Sequence, residues 1–102
     1  MLENKLKGYI NVAKKASYVI IGRDNIELLK NKKFYLFVLS STASKSLLDF
    51  AENLSKIKQC EFIKLNKLNL DELVDINNCK IIGIKNKNLS LIIKDLIISC
   101  EG

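Results

Sequence analysis

The alternation of two kinds of segment along the chain is the feature that most restricts its fold. Three short, mainly apolar segments, Tyr18 to Ile21, Phe34 to Leu39 and Lys80 to Ile84, predict strands, and so does the alternating segment Cys60 to Leu65. The segments around them carry apolar residues at helical spacing. The predicted order αβαβαβαβα favours an α/β domain whose central sheet has helices on both faces. Without proline, internal repeats or a linker, residues 1–102 are predicted to form one domain.

Apolar faces and capping residues define the predicted helices. The apolar faces are Leu2, Leu6, Tyr9, Ile10, Ala13 and Ala16 in the first helix, Ile26, Leu28 and Leu29 in the second, Leu47, Leu48, Ala51, Leu54 and Ile57 in the third, and Leu89, Ile92, Ile93, Leu96 and Ile97 in the last. Three helices have candidate N-caps: Asp24 or Asn25 for the second, Asn69 with Glu72 as a capping box for the fourth, and Asn88 for the last.

Catalytic residues are not recognisable in the sequence. The chain has no histidine, which removes Ser–His and Cys–His pairs and the commonest general base, and it has no P-loop or GxGxxG motif. Asp71 and Glu72 are explained by helix capping. Cys60, Cys79 and Cys100 are too far apart for a zinc site and odd in number, as expected of reduced cytosolic thiols. We therefore expect a cytoplasmic protein that is not an enzyme and that has no metal or cofactor.

The excess positive charge is confined to the first half of the chain. Residues 1–45 hold nine basic and three acidic side chains, whereas residues 46–102 hold eight of each, so the net charge of +6 belongs to the first part. A one-sided basic field suggests a polyanion such as RNA. Charge that serves only solubility is an equal alternative. The first residues contain no signal peptide, and no apolar stretch is long enough to span a membrane.

The segment NVAKKASYVIIGRDN, residues 11–25, is the strongest candidate for a binding site. It joins a basic helix end to a strand, to Gly22 and to a polar helix start, which suits a phosphate or a base edge. Arg23 can fork onto a phosphate or guanine, and Asp24 and Asn25 offer acceptors and donors to bases. The flanking phosphates would be contacted by Lys14, Lys15, Lys30, Lys32 and Lys33. The alternative is that Asp24 and Asn25 only cap the helix and that the lysines are solvated.

Three segments in order resemble a known family. NVAKKASYVIIG, LFVLSSTAS (Leu36 to Ser44) and IIGI (Ile81 to Ile84) resemble segments of the bacterial YlxQ-like proteins, relatives of the ribosomal proteins L-seven-Ae and L-thirty-e. The resemblance covers nearly the whole chain. It implies a three-layer α/β/α sandwich with a four-stranded mixed sheet, and recognition of kink-turns in RNA.

The resemblance also assigns residues to the RNA site. Gly22, Asp24 and Asn25 stand at the family's glycine, asparagine and glutamate positions, and Leu28 stands where the family has a lysine. The second contact region of the family is the loop before the last strand, here Ile76, Asn77 and Asn78, followed by Cys79. This loop is shortened and lacks the family's glycines.

These features favour a noncatalytic protein that binds kink-turn-like or other structured RNA, is associated with the ribosome, and acts as a monomer without DNA or membrane partners. The alternative is a protein-interaction module that has kept the fold and lost the RNA site, which Leu28 and the shortened loop suggest.

Overall fold

Helices and strands alternate in the predicted order in the computed structural model, which describes residues 2–102. The elements are α1 (Leu2–Lys15), β1 (Val19–Ile21), α2 (Arg23–Leu28), β2 (Leu36–Leu39), α3 (Lys45–Lys58), β3 (Glu61–Lys64), α4 (Leu70–Val74), β4 (Ile81–Ile84) and α5 (Lys87–Glu101). The predicted α/β class and the four-stranded mixed sheet are confirmed.

The sheet has the strand order β1-β4-β2-β3. β4 pairs antiparallel with β1 and with β2, whereas β2 and β3 are parallel. All residues of the central strands β2 and β4 are buried, as expected of strands covered by helices on both faces. The edge strands β1 and β3 are partly exposed.

Two separate apolar cores lie on the two faces of the sheet. On one face α1, α4 and α5 pack over side chains such as Val38 and Ile82. On the other face α2 and α3 cover a smaller cluster that includes Phe34 and Phe37. The arrangement of helices, sheet and helices is the three-layer sandwich that the sequence predicted.

Gly83 in the middle of β4 allows the smaller core to close. A Cβ atom at this position would lie 2.8 Å from Cδ1 and Cε1 of Phe34 and 3.0 Å from Cε1 of Phe37. The two phenyl rings have centroids 5.1 Å apart, so Phe34 fills the space above the glycine. The absence of a side chain at residue 83 is therefore a packing requirement.

The helix caps agree with the sequence only in part. Asn69 caps α4 as predicted, since its side chain accepts a hydrogen bond from the Asp71 N–H. The predicted cap Asn88 is wrong: α5 begins two residues earlier, and Asn86 accepts from the Leu89 N–H. Neither Asp24 nor Asn25 caps α2, whose N-cap is Gly22 without a side-chain hydrogen bond.

Some apolar residues assigned to inward faces lie at the surface. Leu28 is 80% exposed, Ile57 75%, Leu2 50% and Ile92 38%, so these four assignments are wrong. α2 has only six residues, and Ile26 is its one buried residue. Ile57 lies with Phe50 and Leu54 on the side of α3 that lines an open groove.

The last helix is fastened by a carboxylate. Glu101 accepts hydrogen bonds from the backbone N–H groups of Asn66, Lys67 and Leu68, at 2.8, 2.7 and 3.2 Å. Partial burial alone would raise the pKa of Glu101, but these three donors, with the charge of Lys67, outweigh it and lower the pKa. The end of α5 is thereby tied to the loop between β3 and α4.

Candidate functional site

Gly22 forms the junction between β1 and α2. Its φ of 90° and ψ of 148° belong to a region that residues with a Cβ atom rarely adopt. A Cβ atom would meet nothing within 4 Å, so backbone conformation, and not space, requires the glycine. The Gly22 carbonyl accepts from the Ile26 N–H at 3.1 Å and begins α2.

The loop that contains the predicted second contact region leads toward this junction. The Gly22 N–H donates to the Ile81 carbonyl at 3.0 Å, which places Gly22 beside the first residue of β4, where that loop ends. The Ser40 N–H donates to the Lys80 carbonyl at 2.8 Å and adds the turn after β2. We call this end of the sheet, where β1 and β2 finish and β4 begins, the Gly22 end.

Asp71 shapes the loop before β4. Its carboxylate accepts from the N–H groups of Asn78 and Cys79, at 3.0 and 2.7 Å. Asn78 has a left-handed φ of 59°, a conformation that asparagine tolerates better than most residues. Asn77 and Asn78 are exposed, whereas Ile76 packs partly against the larger core. The sequence explained Asp71 as part of a helix start and missed its role in this loop.

Arg23 is bound to α3. One terminal nitrogen of its guanidinium donates to the Ser46 hydroxyl at 3.3 Å, and the group lies 4.7 Å from the centre of the Phe50 ring. This cation–π contact holds the guanidinium on the protein surface. The remaining N–H donors of the side chain keep an exposed position at the Gly22 end.

Asp24 and Asn25 are both exposed at the start of α2. The Asn25 side-chain amide donates to the Ile21 carbonyl at 2.8 Å, which fixes its orientation against the end of β1. Within residues 2–102, Asp24 makes no side-chain hydrogen bond and no ion pair. A ligand at the Gly22 end would therefore meet an acceptor at Asp24 and a positioned amide at Asn25.

The predicted lysines do not surround Gly22. Lys14 donates to the Val74 carbonyl at 2.8 Å and so binds the end of α4. Lys15, Lys32 and Lys33 lie beyond the opposite end of the sheet, because they precede β1 and β2, which both run toward the Gly22 end. Four residues of β4 separate the two ends, a distance of roughly 10 Å at about 3.3 Å per residue.

Lys80 is a cation at the Gly22 end that the sequence did not single out. It is exposed, and its Nζ donates to the Thr42 hydroxyl at 2.7 Å. Thr42 in turn shares a hydrogen bond of 3.0 Å with the Ser40 hydroxyl. The position of Lys80 directly after the predicted contact loop was the available signal.

A groove of about 390 Å³ separates α2 from α3. Its lining mixes charged, polar and apolar side chains: Arg23, Glu27, Lys30, Ser46, Asp49, Phe50, Asn53, Leu54 and Ile57. Lys30 therefore faces a groove that also contains two carboxylates, which makes it a weaker candidate for phosphate contact than Lys32 or Lys33.

Groups with the chemistry of an active site are scarce in the part of the chain that the structure describes. Residues 2–102 contain no group of three or more His, Cys, Asp or Glu side chains that could hold a metal ion. All three cysteines are free thiols. Burial, with the nearby charge of Asp71, raises the pKa of Cys79 to about 11, and burial also raises the pKa of Cys60. Both thiols stay protonated at neutral pH, which makes them poor nucleophiles.

No helix in residues 2–102 is both long and apolar enough to cross a membrane.

Comparison with known proteins supports the fold and adds no function. No protein-family model matches the chain, and no curated protein matches it. A solved structure of a protein with unknown function from Bacillus halodurans C is similar, with a TM-score of 0.78 and 20% sequence identity. The similarity covers 92% of this chain and 97% of that chain. At this identity the likeness shows the fold alone.

Proposed function

We propose that the protein is a noncatalytic RNA-binding protein of the cytoplasm that holds a kink-turn-like or otherwise structured RNA at the Gly22 end and associates with the ribosome. One observation supports the proposal: the Gly22 N–H donates to the Ile81 carbonyl at the start of β4. Residues 22–25 therefore lie at the end of the sheet where the loop that contains residues 76–78 leads into β4. The protein would act as a monomer, without cofactor or membrane and without DNA as its target.

The polar groups at this end suit unpaired bases better than a regular duplex. Asp24 is an acceptor for base amino groups, and the exposed Asn77 and Asn78 can both donate and accept. Base edges are open to such contacts where RNA is bent or bulged and its bases leave the stack. Lys80, held by Thr42, supplies a cation for a neighbouring phosphate.

The missing family lysine is compensated from another part of the fold. Leu28 occupies its position and is 80% exposed, so α2 offers no cation there. Arg23, which begins α2, and Lys80, which directly precedes β4, are cations at the Gly22 end. We propose that they replace the charge that the family places on α2.

The test is binding to a short RNA that contains a kink-turn, beside a straight duplex of equal length, over a salt series. Preference for the kinked RNA is the expected result. Equal, steeply salt-dependent binding to both RNAs would contradict shape recognition, because it is the signature of phosphate contacts alone.

A double variant locates the site. Asn25→Ala with Lys80→Ala removes one positioned amide and one cation from the Gly22 end, and the preference for kinked RNA is expected to fall at least about tenfold, since two such contacts together are worth roughly 1–3 kcal/mol. The matched control, Asn53→Ala with Lys56→Ala on α3, removes the same groups elsewhere and should leave the preference unchanged. Equal losses in the two variants would refute the site.

A protein-interaction module is the second candidate, and a specific surface favours it. The exposed Leu28 adjoins Leu29 and the edge strand β1, where these residues line a shallow apolar groove with Ile20 and Ile21. Absence of binding to either RNA, together with salt-insensitive binding to a protein partner that Leu28→Lys abolishes, would establish this alternative.

A further inference from the structure

Three turns meet at the end of the sheet opposite to Gly22. The Lys85 N–H donates to the Tyr18 carbonyl, and the Tyr35 N–H donates to the Ile84 carbonyl, both at 2.8 Å. These bonds bring together the turn after α1, the turn before β2 and the turn between β4 and α5. Residues far apart in the sequence therefore form one continuous surface.

These turns contain lysines and no carboxylates. Residues 14–18, 30–35 and 85–88 include seven lysines and no Asp or Glu, while the rest of the chain has ten basic and eleven acidic side chains. The whole excess charge of the protein is thus at this end of the sheet. Lys14 is bound to Val74, and Lys30 lies in the groove between α2 and α3. Of the other five lysines, four are exposed and Lys85 is partly exposed.

Carboxylates on neighbouring elements face lysines other than these five: Glu72 and Asp75 line a cleft with Lys14. Glu61, the first residue of β3, is paired with Lys94 of α5, and β3 is separated from β4 by β2. Glu27 lines the groove with Lys30. Among the described residues, Lys15, Lys32, Lys33, Lys85 and Lys87 form no ion pair.

Two tyrosines lie among these lysines. The pairing of Ile84 with both Val19 and Leu36, continued by one residue, places Tyr18 and Tyr35 on either side of Lys85. Directly paired residues of neighbouring strands have their side chains on the same face. Neither tyrosine belongs to either apolar core, and Tyr18 is 38% exposed. Their rings are therefore not explained by packing of the fold.

We infer that this end of the sheet is a second RNA-contact surface, which binds a single-stranded segment through stacking on the tyrosines and phosphate contacts to the lysines. This lysine–tyrosine surface consists of Lys15, Tyr18, Lys32, Lys33, Tyr35, Lys85 and Lys87. Aromatic rings within a basic groove are the usual elements of single-strand binding, because every base has a face that can stack. An acidic peptide would use the lysines and leave the tyrosines without a role.

The inference rests on the proposed function only in taking RNA as the ligand. The two ends of the sheet are roughly 10 Å apart along β4. This distance is shorter than the length that two nucleotides of an extended RNA strand can span. A structured RNA held at the Gly22 end could therefore pass its single-stranded flank across the lysine–tyrosine surface.

Tyrosine fluorescence gives a direct test, since the chain has no tryptophan and only three tyrosines. In a Tyr9→Phe background both remaining tyrosines lie on the proposed surface. Titration with a 12-nucleotide single-stranded RNA of mixed sequence should quench their emission if bases stack on them. Tyr18→Leu, which keeps an apolar side chain but removes the ring, should weaken binding about tenfold.

A lysine variant separates location from total charge. Lys32→Ala with Lys33→Ala should lower the affinity for the single-stranded RNA roughly tenfold at low salt, and should reduce the slope of log affinity against log salt by about 1.4, at about 0.7 per phosphate contact. The control Lys5→Ala with Lys64→Ala removes two exposed lysines from outside the surface and should leave both quantities nearly unchanged.

The outcomes separate this inference from the proposed function. Single-stranded binding that depends on Lys32 and Tyr18, without preference for kinked RNA, would support the inference and contradict the proposed function. Preference for kinked RNA with no quenching by the single strand would overturn the inference alone. Equal competition by polyglutamate, or equal losses in the lysine variant and its control, would also overturn it, because the surface would then respond only to charge.

Discussion

Substitution of Gly83 by alanine should destabilise the protein through one identifiable contact. The added methyl group would lie 2.8 Å from two carbon atoms of the Phe34 ring, about 1 Å inside normal carbon–carbon contact. Phe34 is 1% exposed and Phe37 is fully buried, so the ring has no adjacent space into which it could move. The strain must then be taken up by the side-chain rotamer or by β4 itself.

The expected cost follows from two opposing effects. Overpacking of a filled core usually costs about 1–3 kcal/mol, and replacing glycine by alanine inside a strand recovers roughly 0.5–1 kcal/mol of backbone entropy. The net loss should be about 1–2 kcal/mol, equivalent to a decrease in Tm of roughly 5–15 °C for a domain of this size.

A second substitution tests the cause. Phe34→Leu alone should cost about 1–1.5 kcal/mol, but it removes the ring atoms that the new methyl group would meet. The double variant should therefore be less destabilised than the sum of the single variants by about 1 kcal/mol. Urea unfolding of all four proteins measures this coupling. Additivity within about 0.5 kcal/mol would refute the reasoning.

Two further predictions concern the backbone of the Gly22 junction and the carboxylate at the end of α5. Gly22→Ala should lower the free energy of unfolding by about 1–3 kcal/mol because of the φ of 90°. Gly8→Ala in the exposed part of α1 should instead raise it by roughly 0.5–1 kcal/mol. Equal effects of the two substitutions in urea unfolding would contradict this explanation. Glu101→Gln should lower Tm at neutral pH. Because folding lowers the pKa of Glu101, its contribution is complete above the unfolded value of about 4.3 and is lost as pH falls through the folded value. The gap between the variant and the unmodified protein should therefore narrow as the pH falls below the unfolded value and close once Glu101 is protonated in the folded protein, and a pH-independent gap would exclude the ionised carboxylate as the cause.

The sequence was sufficient for the order and kind of the elements because three of the strands are apolar runs and β3 lies in a segment that alternates. Phe34 to Leu39 and Lys80 to Ile84 could be recognised without knowing their neighbours. Exposure of single residues was less predictable. Leu28 has the spacing of a buried residue, but α2 ends after six residues, and only contact with the sheet decides which of its apolar side chains is covered.

The composition of the candidate site depended on tertiary structure. Residues 22–25 and 76–78 were assigned from the sequence, and the fold brings Gly22 to the start of β4, where the loop that contains residues 76–78 ends. The separation of Lys32 and Lys33 from Gly22 follows from the parallel directions of β1 and β2, which periodicity does not reveal. In the same way, Arg23 is held by Phe50 of α3, and no local pattern links these two residues.

The position of β4 has a consequence for how the protein is made. β4 is the last strand to be synthesised, yet it lies between β1 and β2 and provides the only pairing that β1 has within the described residues. Until residues 81–84 leave the ribosome, β1 has no partner and the edge of β2 opposite to β3 is unpaired. Such non-local pairing slows folding and leaves apolar strands open to aggregation in the nascent chain. A chain that stops before Ile81 would therefore be unable to join β1 to β2 and β3, and the native sheet can be completed only after nearly the whole sequence has been made.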